Sequence, residues 1–198
     1  MADNLHPIFD SILQTRQKEV LLNQQSLVIW MVGLSGSGKS TLARALENSL
    51  HESGRLTALL DGDNLRSGIN SNLTFSPEDR LENIRRAAET AKLLSDNGVI
   101  TICSLISPTE EVRSLARNII GPRYVEIFID CPLEVCEKRD VKGLYAKARQ
   151  GLIPDFTGVS APFEPAINAD LIVNTSKSSV AEGLTQLDHF IKPKLLLN

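Results

Sequence analysis

Gly33-Leu34-Ser35-Gly36-Ser37-Gly38-Lys39-Ser40 has the spacing Gly-x-x-x-x-Gly-Lys-Ser/Thr, and it decides the fold. It follows the apolar run Leu27–Val32 and precedes a helical pattern of Leu42, Ala45, Leu46 and Leu50. A strand, a glycine-rich turn and a helix in that order make a phosphate-binding loop. The glycines let the backbone wrap an anion and aim its N–H groups inward. The next helix offers its positive N-terminal end to the same anion. Lys39 then reaches the β- and γ-phosphates of a nucleotide, and the Ser40 hydroxyl ligates Mg²⁺. A chance match in a chain of this length is on the order of 1% at ordinary residue frequencies.

Outward from the loop, apolar runs alternate with helical patterns. The candidate strands are Leu27–Val32, Leu56–Leu60, Val99–Leu105, Tyr124–Ile129 and Ala169–Val173. All are short and rich in Ile, Val and Leu, as suits strands covered on both faces. The expected fold class is α/β: a three-layer P-loop NTPase fold with a mainly parallel five-stranded sheet and helices on both faces. Ser76-Pro77-Glu78-Asp79 supplies an N-cap, a proline at the first helical position and early acids. Leu81, Ile84, Ala88, Ala91 and Leu94 then recur at helical spacing until Asn97-Gly98. Ser179 to Glu182 repeats the capping pattern ahead of a stripe of Val180, Leu184, Leu187 and Ile191.

Pro7 to Leu22 reads as an amphipathic helix lying on the domain or on a partner. Residues 1–25 are therefore set apart from a domain at 26–198. Residues 150–168 contain three prolines and two glycines and no helical stripe. They read as a long surface loop, and a lid is expected around 140–165.

The chain has 198 residues, 21 Lys+Arg and 24 Asp+Glu, for a formal charge of −3. The length suits one domain. The mild negative charge argues against binding a nucleic-acid polymer, which needs a basic surface. Cys103, Cys131 and Cys136 form no Cys-x-x-Cys pair, and His6, His51 and His189 are scattered. Free thiols are expected rather than a disulfide framework or a zinc site. No apolar run approaches the ~20 residues of a membrane span. The N-terminus lacks the apolar core of a secretory signal. The expected location is the cytoplasm. A guanine-reading Asn-Lys-x-Asp is absent, which disfavours a GTPase switch, and the Asp155-Phe156-Thr157-Gly158 string lies far from the loop.

The second strand runs into Asp61-Gly62-Asp63-Asn64-Leu65-Arg66. Ligands of open α/β sheets sit at the carboxyl ends of strands. These carboxylates suit a general base for a hydroxyl acceptor or a Mg²⁺ site, and the bland alternative is an acidic turn capping the next helix. Arg80, Asn83 and Arg86 recur every third residue off the apolar stripe, which by periodicity alone is a solvated helix face.

The chain as a whole resembles the adenylylsulfate kinases (APS kinases). The residues that carry the resemblance begin with Gly33 to Thr41 and Asp61-Gly62-Asp63-Asn64-x-Arg66. They continue with Phe75-Ser76-x-Glu78-Asp79-Arg80-x-Glu82-Asn83-Ile84-Arg85-Arg86 and Ile106-Ser107-Pro108. Asp130-x-Pro132-Leu133-Glu134-Val135-Cys136-Glu137-x-Arg139-Asp140, Lys142-Gly143-Leu144-Tyr145 and Phe156-Thr157-Gly158 complete the set.

The resemblance implies a Mg²⁺- and ATP-dependent kinase. Its acceptor would be the 3′-hydroxyl of adenosine 5′-phosphosulfate and its products 3′-phosphoadenosine 5′-phosphosulfate and ADP. By matching position, Asp63 would be the base or orienting group, with Asp61 beside the metal. Arg66, Arg80 and Asn83 would hold the phosphosulfate and ribose, and Phe75 and Phe156 would sandwich the adenine. Lys142 would reach the transferring phosphoryl group, and Arg139 would cover the ATP base. Ile106, Ser107, Leu144, Thr157 and Gly158 would line the acceptor site. Ser107 holds the place of the serine that is named in the family as a phosphoserine intermediate. No base stands beside it in sequence, so binding is its expected role.

The resemblance also implies a homodimer served by a separate ATP sulfurylase. A kinase of another small hydroxyl acceptor, or a nucleotide-binding regulator without turnover, would share only part of this set. Two positions depart from the family. Glu110 replaces a basic residue, which would weaken acceptor binding if it faced the site. Phe163 stands where tyrosine is commoner.

Overall fold

The computed structural model describes residues 4–197. Five strands, β1 (Val28–Val32), β2 (Thr57–Asp61), β3 (Ile100–Ser104), β4 (Tyr124–Asp130) and β5 (Leu171–Asn174), form one sheet. The strand order is β2-β3-β1-β4-β5, and every pairing is parallel. The main helices are α1 (Thr15–Leu22), α2 (Lys39–Glu52), α3 (Gly62–Ser67) and α4 (Pro77–Asp96). They continue with α5 (Glu110–Ile120), α6 (Leu133–Arg139), α7 (Leu144–Arg149) and α8 (Val180–Ile191).

Period-2 alternation sorts β1 onto two cores. Ile29 and Met31 join Leu42, Leu46 and Leu50 of α2 and Leu187 and Ile191 of α8. Val28, Trp30 and Val32 join Ile84, Ala87, Ala88 and Ala91 of α4 and Val112, Ala116 and Ile120 of α5. Each large apolar side chain buried this way contributes about 1.5–3 kcal/mol. A three-layer α/β fold follows, as the alternating pattern requires.

The layers also place the site. The chain leaves β1 for the α2 face and leaves β3 for the α5 face. Adjacent parallel strands whose connections diverge leave a crevice at their carboxyl ends. The glycine-rich loop lies there, with the Gly33 N–H donating to the Ile106 carbonyl at 3.4 Å.

The N-terminal helix and two helical stripes differ from expectation. The N-terminal helix is shorter than Pro7–Leu22: a 3₁₀ turn at Phe9–Ser11 precedes α1. Gln14 explains the late start, because its side chain caps α1 and also donates to Phe9 and Ile12 carbonyls. The buried stripe of α4 takes in Asn83 and Ala87 and leaves Leu81 exposed. Val180, at the start of α8, is likewise exposed. α7 precedes the segment read as a loop, and the Asp140 carboxylate accepts from its Tyr145 and Ala146 N–H groups. Residues 150–168 carry no helix or strand beyond one bridge, Thr157 to Ala161.

Candidate active site

The loop between β1 and α2 can take its path only with glycine at two close approaches. A Cβ on Gly33 would lie 2.7 Å from the Ile129 carbonyl oxygen. On Gly36, at φ +74°, it would lie 3.0 Å from the Cys136 oxygen. Lys39 opens α2, and its buried ammonium donates to the Leu34 carbonyl at 2.6 Å. Burial pushes its pKa down to about 8, against the opposing pull of the nearby Cys136 and Asp61. Ser40 donates to Asp61 Oδ2 at 2.7 Å and lies 3.3 Å from the Ser104 hydroxyl. Thr41 follows Ser40 in the first turn of α2.

Asp61 ends β2 and caps α3 by accepting the Asp63 N–H at 3.1 Å. The capping reading of this segment therefore holds, and the same turn stands beside the phosphate loop. Asp63 pairs with Lys142, between α6 and α7. Tyr145 of α7 reaches the loop too, donating to the Ser35 carbonyl at 2.9 Å. A third small core joins Leu34 of the phosphate loop and Cys136 of α6 to Tyr145, Ala148 and Phe156, with Leu144 packed at its edge. Arg139 donates to the Thr175 carbonyl at 2.6 Å and to the Gly36 and Ser37 carbonyls at 3.3 and 3.4 Å.

A second cluster gathers beside it. The Arg66 guanidinium stands 4.3 Å from the Phe75 ring centroid, and Arg80 stands 5.9 Å from it. Arg80 also donates to the Phe75 carbonyl at 2.8 Å, to Thr157 Oγ1 at 2.9 Å and to the Asp155 carbonyl. Phe75 is 57% exposed, whereas Phe156 is 9% exposed and meets Tyr145 edge-on at 5.0 Å. The two phenylalanines thus have separate neighbours. Gly158 abuts Leu34 and Leu133, which a Cβ would crowd at 3.0 and 3.1 Å. Asn83 is buried and accepts from Asn70 Nδ2 at 3.0 Å. Ser107 is 1% exposed, and its hydroxyl accepts from Trp30 Nε1 at 2.9 Å.

This arrangement joins an anion cradle, a carboxylate–ammonium pair and an arginine–aromatic cluster around one crevice. The adenylylsulphate kinase family matches residues 25–174, most of the chain. The chain belongs to that family. The adenylyl-sulfate kinase of Bacteroides thetaiotaomicron is 55% identical, over 98% of this chain and 96% of that protein. The solved APS kinase CysC of Mycobacterium tuberculosis, in complex with AMPPNP and APS, is 43% identical with a TM-score of 0.82. That match covers 85% of this chain and 98% of that one. The hexameric APS kinase of Thiobacillus denitrificans is 29% identical, with a TM-score of 0.66 over 88% of this chain and 30% of that one.

Within this APS kinase fold, Glu110 does not point its charge at the crevice unopposed. Its carboxylate holds Arg113 at 3.0 Å and Arg117 at 3.2 Å, on its own helix, and accepts from Ser114 at 3.0 Å. Glu110→Gln is therefore expected to leave the acceptor KM within about twofold. It should lower Tm by a few degrees at most, because the Glu110 side chain is 57% exposed and the buried Arg113 keeps Glu126 at 3.8 Å. Steady-state kinetics and a thermal melt test this, and a tenfold change in KM would put Glu110 back at the site. Phe163 packs on Phe128, with centroids 6.1 Å apart.

Arg86 is no solvated residue either. It donates to the Ile69 carbonyl at 3.1 Å and to Asn72 at 2.8 Å, holding the connector that carries Phe75. No sequence motif above includes Trp30, Asn70 or Thr175. For Thr175 a signal existed, since it directly follows β5 at the carboxyl edge of the sheet. For Trp30 and Asn70 there was none, because their partners are distant in sequence.

Proposed function

We propose that this site transfers the γ-phosphoryl group of ATP to the 3′-hydroxyl of adenosine 5′-phosphosulfate. The observation that carries the reading is the pairing of lid residue Lys142 with Asp63 beside the phosphate loop. It joins a nucleotide cradle to a carboxylate able to take a hydroxyl proton. The loop N–H groups and Lys39 bind and orient the triphosphate. Asp63 accepts the acceptor's 3′-hydroxyl proton or orients that hydroxyl. Lys142, released from Asp63, neutralises charge on the transferred group. Arg66 and Arg80 hold the phosphosulfate, since guanidinium forks suit doubly charged anions. Phe75 and Phe156 stack on the adenine from their two sides, at about 1–3 kcal/mol per base. Asn83, Ile106, Ser107, Leu144, Thr157 and Gly158 complete the acceptor wall, and Arg139 covers the ATP base. The docked lid excludes water and limits ATP hydrolysis.

Mg²⁺ fits the residues present. The Ser40 hydroxyl and the Asp61 carboxylate lie 2.7 Å apart, and both are hard oxygen donors. Few protein oxygens suit an ion that keeps waters and binds phosphates. When bound, it neutralises the β- and γ-phosphate charge.

The test is product formation from ATP, Mg²⁺ and adenosine 5′-phosphosulfate, with nucleotides resolved by ion-pair chromatography. The expected product is 3′-phosphoadenosine 5′-phosphosulfate. ATP binding without that product would move the reading to another hydroxyl acceptor or to a regulator.

We further propose a cytoplasmic homodimer supplied by a separate ATP sulfurylase, since the acceptor must be made by adenylylating sulfate. The three cysteines are free, which supports a reducing compartment. Among the described residues no helix is long and apolar enough to cross a membrane. Leu5, Ile8, Phe9, Ile12 and Leu13 are all exposed, an apolar arm that a second copy would cover. Light scattering after size exclusion should give twice the chain mass at micromolar concentration, and a monomer there would refute the dimer.

A further inference from the structure

We infer that Trp30, in the middle of β1, is a positioning residue for the phosphoryl acceptor and acts through Ser107. The inference rests on the proposed kinase reading. Trp30 is the only tryptophan in the chain and is fully buried. Its neighbours in β1 are aliphatic residues and Met31. An apolar side chain could fill the space, but an indole N–H buried there must find an acceptor. That acceptor is Ser107 Oγ, 77 residues away at 2.9 Å.

Ser107 is held on every side. Its φ is +45°, a conformation uncommon outside glycine. Such strain persists only where the surroundings over-determine it, and it clusters at functional sites. The Ser107 carbonyl accepts from Arg113 Nη1 at 3.2 Å, and Arg113 is itself 2% exposed and tied to the Glu164 carbonyl at 2.8 Å. The next carbonyl, of Pro108, accepts the Glu164 N–H at 2.7 Å. The preceding one, of Ile106, accepts from Gly33 of the phosphate loop. Three consecutive carbonyls and one hydroxyl are thereby fixed just past the end of β3, beside the phosphate loop.

The hydroxyl then has a defined polarity. Serine offers one proton and two lone pairs, while the indole N–H can only donate. Trp30 therefore occupies a lone pair and leaves the Ser107 proton to be given away. Among the described residues nothing accepts that proton. A buried donor without a partner is costly, and an anionic or ribose oxygen of the acceptor relieves it. The same polarity argues against Ser107 as a nucleophile, since no side-chain base takes its proton.

A double-mutant cycle tests this, using Trp30→Phe, Ser107→Ala and the pair. Phenylalanine keeps an aromatic ring and removes the N–H. Trp30→Phe should raise the acceptor KM by about five- to tenfold, leaving kcat and the ATP KM within about twofold. Ser107→Ala should do the same, and the double variant should be no worse than Ser107→Ala alone. Multiplying effects, or an ATP KM that moves equally, would overturn the inference, because a general packing role predicts both. A second readout survives if Trp30→Phe fails to fold. Adenosine 5′-phosphosulfate alone should change the wild-type tryptophan emission, and that change should vanish in Ser107→Ala. Emission indifferent to saturating acceptor would overturn the inference. A wild type that makes no product from this acceptor would overturn the parent reading and this inference with it. An active wild type with multiplying effects would overturn this inference alone.

Discussion

Lys39→Ala is expected to lower kcat/KM by on the order of 10³ or more, with the fold retained. The ammonium is the one cation buried inside the loop, bonded to the Leu34 carbonyl. Alanine leaves β- and γ-phosphate charge without its partner where solvent cannot replace it. Burial holds the free enzyme's Lys39 pKa down at about 8, with Cys136 and Asp61 opposing. A triphosphate beside it favours the charged form and raises that value again. Above about pH 8 the free enzyme has lost the proton and the complex has it, so binding takes up protons and affinity falls as pH rises. Calorimetry of ATP binding in two buffers of different ionisation enthalpy measures the uptake. Lys39→Ala should show none. Activity within threefold of wild type would remove Lys39 from the mechanism.

Asp63→Asn should reduce kcat by roughly 10²–10⁴, the usual range for a general base. The change is nearly isosteric. The backbone N–H that caps onto Asp61 is untouched, and the ATP KM should stay within about threefold. Stability should hardly move, because the Asp63 side chain is 70% exposed and exposed ion pairs contribute little. Initial rates of product formation, set beside ATP binding measured separately, divide chemistry from nucleotide affinity. Near-normal kcat would leave Asp63 as only a partner for Lys142 and move the search for a base elsewhere in the crevice.

The phosphate loop, the alternating strands and the capped helices were legible because their information is local. Glycines, a cap and a period of two or 3.6 act within a few residues, and one pattern implies one geometry. The cap made by the Asp61-Gly62-Asp63 turn was legible for the same reason.

Side-chain partnerships across elements were not legible. Periodicity put Arg86 and Asn83 on a solvated face, yet Arg86 holds the Ile69–Asn72 connector and Asn83 lies buried on Asn70. Glu110 suggested charge reversal toward the acceptor, yet Arg113 and Arg117 take that charge. Trp30 lies within an apolar run, yet its indole N–H donates to Ser107, just past the end of another strand. Local pattern along the chain was enough to specify the sheet, its helices and the loop that cradles phosphate. Packing between distant segments settled where each exposed-looking charge and each buried polar group finds its partner. Hydrogen bonds and ion pairs act over about 3 Å, and no spacing along the chain specifies which distant atoms folding brings that close.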